Sequence, residues 1–111
     1  MRALPPFLFA GFLSLTLLAA SAAAQAASPK IVIKTDAFQP KALTVAAGTR
    51  VKITVANQSG LPAEFEGKDF SVEKVIPAGT TLPVYIGPLE AGTYHFFNEF
   101  SPSATGTLTA K

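Results

Sequence analysis

Leu89-Glu90-Ala91-Gly92-Thr93-Tyr94-His95-Phe96-Phe97-Asn98 is the stretch on which the reading of the fold turns. It opens on a corner and runs into a strand. A Gly-x-Tyr entering a strand near the end of a β-sandwich resembles a tyrosine corner, in which the phenol hydroxyl bonds to backbone a few residues upstream. The alternative is a core Tyr after an ordinary turn. Side chains on a strand alternate between faces, so Tyr94, Phe96 and Asn98 share one face, the expected core, and His95 and Phe97 share the other.

Upstream of this stretch the same period of two recurs, punctuated by turn residues. Lys30–Thr35 (KIVIKT) alternates and is β-branched. Phe38-Gln39-Pro40 reads as a break, because Pro cannot donate to a ladder. Leu43–Ala46 is a short strand. Val51–Asn57 (VKITVAN) is the clearest one, with Val51, Ile53 and Val55 inward. Ala63–Glu66, Phe70–Ile76 and Thr80–Ile86 are extended, the last with a Pro83 that an edge strand tolerates. Downstream, Phe100–Ala104 reads as a loop and Thr105–Ala110 as the last strand. The expected fold is all-β: a Greek-key β-sandwich of seven to eight strands, with no helical segment after the first 26 residues.

Those first residues read as a secretory leader. Arg2 precedes an apolar run, Phe7–Ala20, followed by small residues from Ser21 to Ala27. The run is short for a membrane span of roughly 20 residues, and no basic stop-transfer cluster follows it. The expectation is a signal peptide over 1–26, cleaved within 24–27, and one domain over 27–111 in the periplasm, not embedded in the membrane. The roughly 84 residues that remain then bury about 60–65% of their unfolded surface. There is no Cys, so no disulfide supports them. With Arg2 set aside, 8 basic residues face 7 acidic ones. That balance argues against nucleic acid or an anionic membrane as partner.

Two segments carry a resemblance. Asn57-Gln58-Ser59-Gly60-Leu61-Pro62-Ala63-Glu64-Phe65 looks like the first ligand loop of cupredoxins, and Gly92–Pro102 looks like the second. In that family a His stands where Ala63 stands, a Cys where Asn98 stands, and a second His near Ser101. Composition excludes a blue (type 1) copper centre in this chain whatever the alignment. Such a centre needs two imidazoles and a thiolate, usually with a thioether. The chain has one His, no Cys, and no Met after Met1. The sequence is more similar still to the EfeO-type cupredoxin-like family, through Pro62–Glu66, Val72–Gly79 and Gly87–Phe100. That resemblance implies a periplasmic accessory of iron or copper uptake. It implies a copper or iron ion as cofactor. Its partners would be an inner-membrane iron permease and other periplasmic uptake components, with ferrous iron oxidation among the roles it allows. Some members of that family place Cys where Phe38 and Asn98 stand, and others His where Ser101 stands.

The candidate metal ligands are Glu64, Glu66, Glu99 and His95. Glu64 follows the lost His position, and a carboxylate there suits iron, manganese or Cu(II). It serves equally well as a pin that ties the two loops together. Glu66 shares its face, because side chains alternate. Closely spaced carboxylates raise each other's pKa unless a cation compensates. Asp69 and Glu73 are further acids nearby, weaker as ligands or simply solvated. Glu99 lies at the strand end and can swing toward the site. His95 is the only His, but its parity points it to the outer face. Phe38, Phe65, Phe70, Phe97 and Phe100 are either core or an apolar docking rim. No Ser–His–Asp set and no paired general acid and base is recognisable, so stand-alone hydrolysis is not expected and no catalytic residue is assigned. A sugar-binding sandwich is disfavoured because the chain has no Trp. The rival to a metal accessory is a metal-free sandwich that docks on a membrane partner.

Overall fold

The computed structural model describes residues 2–4, 6 and 28–111. The expected leader therefore lies outside the described residues, apart from those few. Among the described residues, no helix is long and apolar enough to cross a membrane.

Among the described residues, nine strands form two mixed sheets. They are β1 (Lys30–Lys34), β2 (Ala37–Gln39), β3 (Ala42–Val45), β4 (Val51–Asn57), β5 (Ala63–Gly67), β6 (Val72–Ile76), β7 (Thr81–Ile86), β8 (Gly92–Asn98) and β9 (Ser101–Ala110). One sheet has the order β2-β1-β4-β7, the other β3-β9-β8-β5-β6. A single 3-10 turn, Lys68–Phe70, joins β5 to β6. The fold is the expected Greek-key β-sandwich, with more strands than the seven or eight expected. The additions come where the sequence was read as irregular. Asp36, at φ 58°, turns the chain tightly enough for Phe38 to pair back onto Ile33, and Pro40 falls just past that edge strand. The segment 101–104, read as loop, is the first part of β9. An irregularity at Phe97/Asn98 lets Asn98 pair with Ser101 while Phe97 pairs with Thr105. A bulge of this kind cannot be seen in a period-two pattern.

The core lies between the sheets and is strongly aromatic. Phe38 meets Phe96 edge-on at 4.9 Å between centroids, and Phe65 lies 5.1 Å from Phe96. Phe70 reaches the cluster from the 3-10 turn. Edge-to-face pairs of this kind contribute about 0.5–1.5 kcal/mol each beyond burial. Phe38, Phe65 and Phe70 are thus core, and the rim reading does not hold for them. Glycine makes room for two of these rings: a Cβ at Gly106 would collide with the Phe96 ring, and one at Gly67 with that of Phe70. Tyr94 Oη donates to Glu90 O at 2.8 Å, four residues upstream, which is the corner read from the sequence. Pro83 sits on β7, an edge strand, as its missing N–H requires. Lys74 on β6 donates to Pro83 O at 3.0 Å, bridging the edges of the two sheets.

Candidate metal centre

β5 brings the two expected ligand loops together. It pairs with β8 through Phe65↔Asn98 and Glu66↔Phe97, and with β6 through Glu64↔Val75 and Glu66↔Glu73. Alternation turns Ala63 and Phe65 into the core, both fully buried. Glu64 and Glu66 therefore point to the outer face of the five-stranded sheet. The antiparallel β6 sets Glu73 across from Glu66 on that same face. Directly after β8, Glu99 N donates to Glu64 O at 3.0 Å, which brings Glu99 alongside. Each of these four carboxyls offers an oxygen, and the four oxygens lie within 4.8 Å of one another.

The electrostatics of this group are unfavourable for a bare protein. Glu64 is only 7% exposed, Glu66 is half-buried, and Glu73 and Glu99 are exposed. Glu64 Oε1 and Glu66 Oε2 are buried with no hydrogen-bond partner. As a carboxylate, either oxygen lacks a donor; a proton shared with a neighbouring carboxyl or a cation would satisfy it. The Glu64 carboxyl is accordingly pushed up to about 7. The largest cause is the hydrogen bond that its protonated form can make with Glu73, followed by burial and then the charges of Glu73 and Glu99. Glu66 is raised as well, first by hydrogen bonding with Glu99, then by burial and the charges of Glu99 and Glu73. Lys68 pulls Glu66 the other way, but its ammonium lies over the Phe97 ring, 5.6 Å from the centroid.

Three of the four residues singled out from the sequence thus meet, and the fourth does not. Glu64, Glu66 and Glu99 converge, joined by Glu73. His95 is exposed on β8 beside Thr107 and is not in the group. Asp69 lies in the 3-10 turn, also outside the group. The sequence ranks Glu73 below these three, because its place depends on how many residues turn the β5–β6 hairpin. That turn closes through Ser71 in the left-handed region, at φ 55°, a position that composition does not announce.

The loop pin exists, but Glu64 does not supply it with its side chain. Asn98 Oδ1 accepts from Glu64 N at 3.0 Å and from Phe100 N at 3.1 Å. The buried amide of Asn57 works likewise at the start of the first loop. Its Nδ2 donates to Leu61 O and Ile76 O at 2.7 and 2.8 Å, and its Oδ1 accepts from Ser59 N and Oγ. Ser101 Oγ donates to Asp36 Oδ1 at 2.7 Å. The inner end, where the family's copper ligands would stand, therefore holds a methyl group at Ala63, an engaged amide at Asn98 and an engaged hydroxyl at Ser101. These residues do not fit a blue copper ion.

Comparison with known proteins agrees with this architecture. The model of the cupredoxin-like domain family matches residues 7–110. The chain belongs to the cupredoxin-like domain family. The solved structures it resembles include a purple cupredoxin from Nitrosopumilus maritimus (TM-score 0.62, 18% identity, 76% of this chain and 100% of that one). Auracyanin A from Chloroflexus aurantiacus, described as a "blue" copper protein, superposes with a TM-score of 0.64 at 20% identity, over 76% of this chain and 98% of that one. At such identities the likeness is one of fold. An uncharacterised protein of Rickettsia prowazekii (strain Madrid E) is 30% identical over 71 residues, 64% of this chain. The match spans 57% of that relative's length.

Proposed function

We propose that this cupredoxin-like chain is a periplasmic metal-binding accessory of iron or copper uptake, holding its cation through carboxylates on the outside of the sandwich. Glu64, Glu66, Glu73 and Glu99 are the ligands. The observation that carries the reading is the buried Glu64 carboxyl, whose Oε1 has no donor and which meets three more carboxyls. An all-oxygen set of high negative charge suits hard or borderline cations, iron and manganese before Cu(I) or zinc. When bound, such an ion neutralises the mutual repulsion of the four groups. The resemblance to the EfeO-type family supports iron as the cargo and an inner-membrane permease as the recipient.

Calorimetric titration of the purified domain with Fe(II) under anaerobic conditions, Mn(II) and Cu(II) tests this. Glu64→Gln keeps the shape and one acceptor but removes the charge, and is expected to weaken binding at least tenfold. Unchanged affinity in that variant would remove Glu64 from the ligand set. No binding of any of these ions by the native protein would leave the second reading, a metal-free module that docks on a membrane partner. Leu61 and Phe100, 68% and 55% exposed at the loop end, favour that reading.

A further inference from the structure

The near-zero charge balance conceals a segregation that becomes visible once the strands are sorted by sheet. The strands of the four-stranded sheet carry Lys30, Lys34 and Lys52 and no acid. The strands of the five-stranded sheet carry Glu64, Glu66 and Glu73 against Lys74 alone. The remaining acids sit in connections: Asp36 in the β1–β2 turn, Asp69 in the 3-10 turn, Glu90 before β8 and Glu99 after it. Parity sends the lysines outward. Ile31, Ile33, Ile53 and Val55 are fully buried, so Lys30 and Lys52 stand on the solvent face. Lys30 pairs with Thr54, two residues along from Lys52, and Lys52 pairs with Tyr85. Tyr85 is 49% exposed, and the Arg50 guanidinium lies 4.5 Å above its ring. Lys30, Arg50 and Lys52 are all exposed. An open cleft of about 580 Å³ borders this corner, with Arg50 and Lys52 among its walls.

We infer that the outer face of the four-stranded sheet, centred on Lys30, Arg50, Lys52 and Tyr85, docks the domain on an anionic phospholipid surface. The argument is charge complementarity on a broad face. Two lysines and a half-exposed phenol lie on neighbouring strands, with Arg50 just before β4, where a bilayer surface can meet them together. Polybasic groups near an anionic bilayer attract it additively, and Tyr favours the headgroup level. The two outer faces of a sandwich point in opposite directions, so docking this one leaves the carboxylate face turned to the aqueous side. The bulk balance of charges argued against such a surface because it sums over both faces.

The test uses residues 28–111, which contain the nine strands and the core of the described residues. Cosedimentation is measured without metal, with vesicles of equal phosphatidylglycerol and phosphatidylcholine and with phosphatidylcholine alone. Binding is expected to the anionic vesicles only, and to fall at least tenfold between 50 and 300 mM NaCl, on the order expected when a few surface charges are screened. K30E/K52E should abolish it, whereas K41E/K68E, an equal charge change away from that face, should retain most of it. Equal binding to both vesicles, or equal loss in both variants, would overturn the proposal. So would retention on immobilised polyglutamate without vesicle binding, which would assign the face to an acidic protein. Because no metal is present, none of these results depends on the carboxylate site.

Discussion

Two buried polar regions flank β5, and they are built on opposite terms. On the inner side, the Asn57 amide makes four hydrogen bonds, and Asn98 Oδ1 accepts two backbone N–H groups. On the outer side, Glu64 and Glu66 each bury an oxygen with no donor, beside two further carboxyls. The first region is saturated and holds the loops in place. The second is unsatisfied and therefore responsive to protons or cations. A single strand separates them, because alternation sends Ala63 and Phe65 one way and Glu64 and Glu66 the other. In this fold the inner region is where a copper ion is usually held. Here that end is saturated by hydrogen bonds, and the unsatisfied carboxyls lie on the opposite face.

Asn57→Ala should break the saturated side most severely. It leaves Leu61 O, Ile76 O and Ser59 N without the amide, at a cost of about 3 kcal/mol or more. Urea denaturation at neutral pH measures this. A loss below about 1 kcal/mol would show that water replaces the amide and that the two regions differ less than their geometry indicates.

The unsatisfied side should respond to pH in a direction set by Glu64. Its carboxyl is pushed from 4.5 to about 7 on folding. Between those values the folded protein holds a proton that the unfolded chain has released, so stability falls as pH rises from about 4.5 to 7 and then levels. The metal-free protein should therefore melt at a higher temperature at pH 5 than at pH 8. Glu64→Gln should flatten that dependence and leave the apo protein at pH 8 as stable as the native chain or more so. Metal affinity should run the other way, rising with pH until the carboxyl is ionised, since the ion must displace the shared proton. A melting temperature that rises from pH 5 to pH 8 would contradict the assignment of Glu64 as a strained carboxyl.

Tyr94 offers the mildest test, a polar group that is partnered but only half-buried. Tyr94→Phe removes the bond to Glu90 O and should cost about 1 kcal/mol, because water can reach the freed carbonyl. A much larger loss would mean that the corner organises the β7–β8 connection beyond its one hydrogen bond.

Much of the sandwich was legible because half-buried strands advertise themselves by alternation, as in Val51–Asn57, and because Gly92-x-Tyr94 marks the corner. Two elements were hidden. The strand at Ala37–Gln39 follows a turn set by the positive φ of Asp36, and the start of β9 follows a bulge. Both are backbone events that side-chain periodicity does not record. The site was legible in part for the same reason. Glu64 and Glu66 sit two apart on one strand, so their shared face needs no structure. Glu73 and Glu99 reach it through a hairpin turn and a strand end, where separation along the chain gives no distance.

The sequence by itself determined that no blue copper centre can form within this chain, since thiolate and thioether donors are matters of composition. It also determined which residues of each strand share a face, because the period of two is local. The tertiary structure alone decided that four carboxyls meet, that Asn98 rather than the Glu64 side chain pins the loops, and that Lys30, Arg50 and Lys52 gather on the face of the opposite sheet. These depend on strand register and on which strands share a sheet, and both are fixed by packing between segments far apart in the chain.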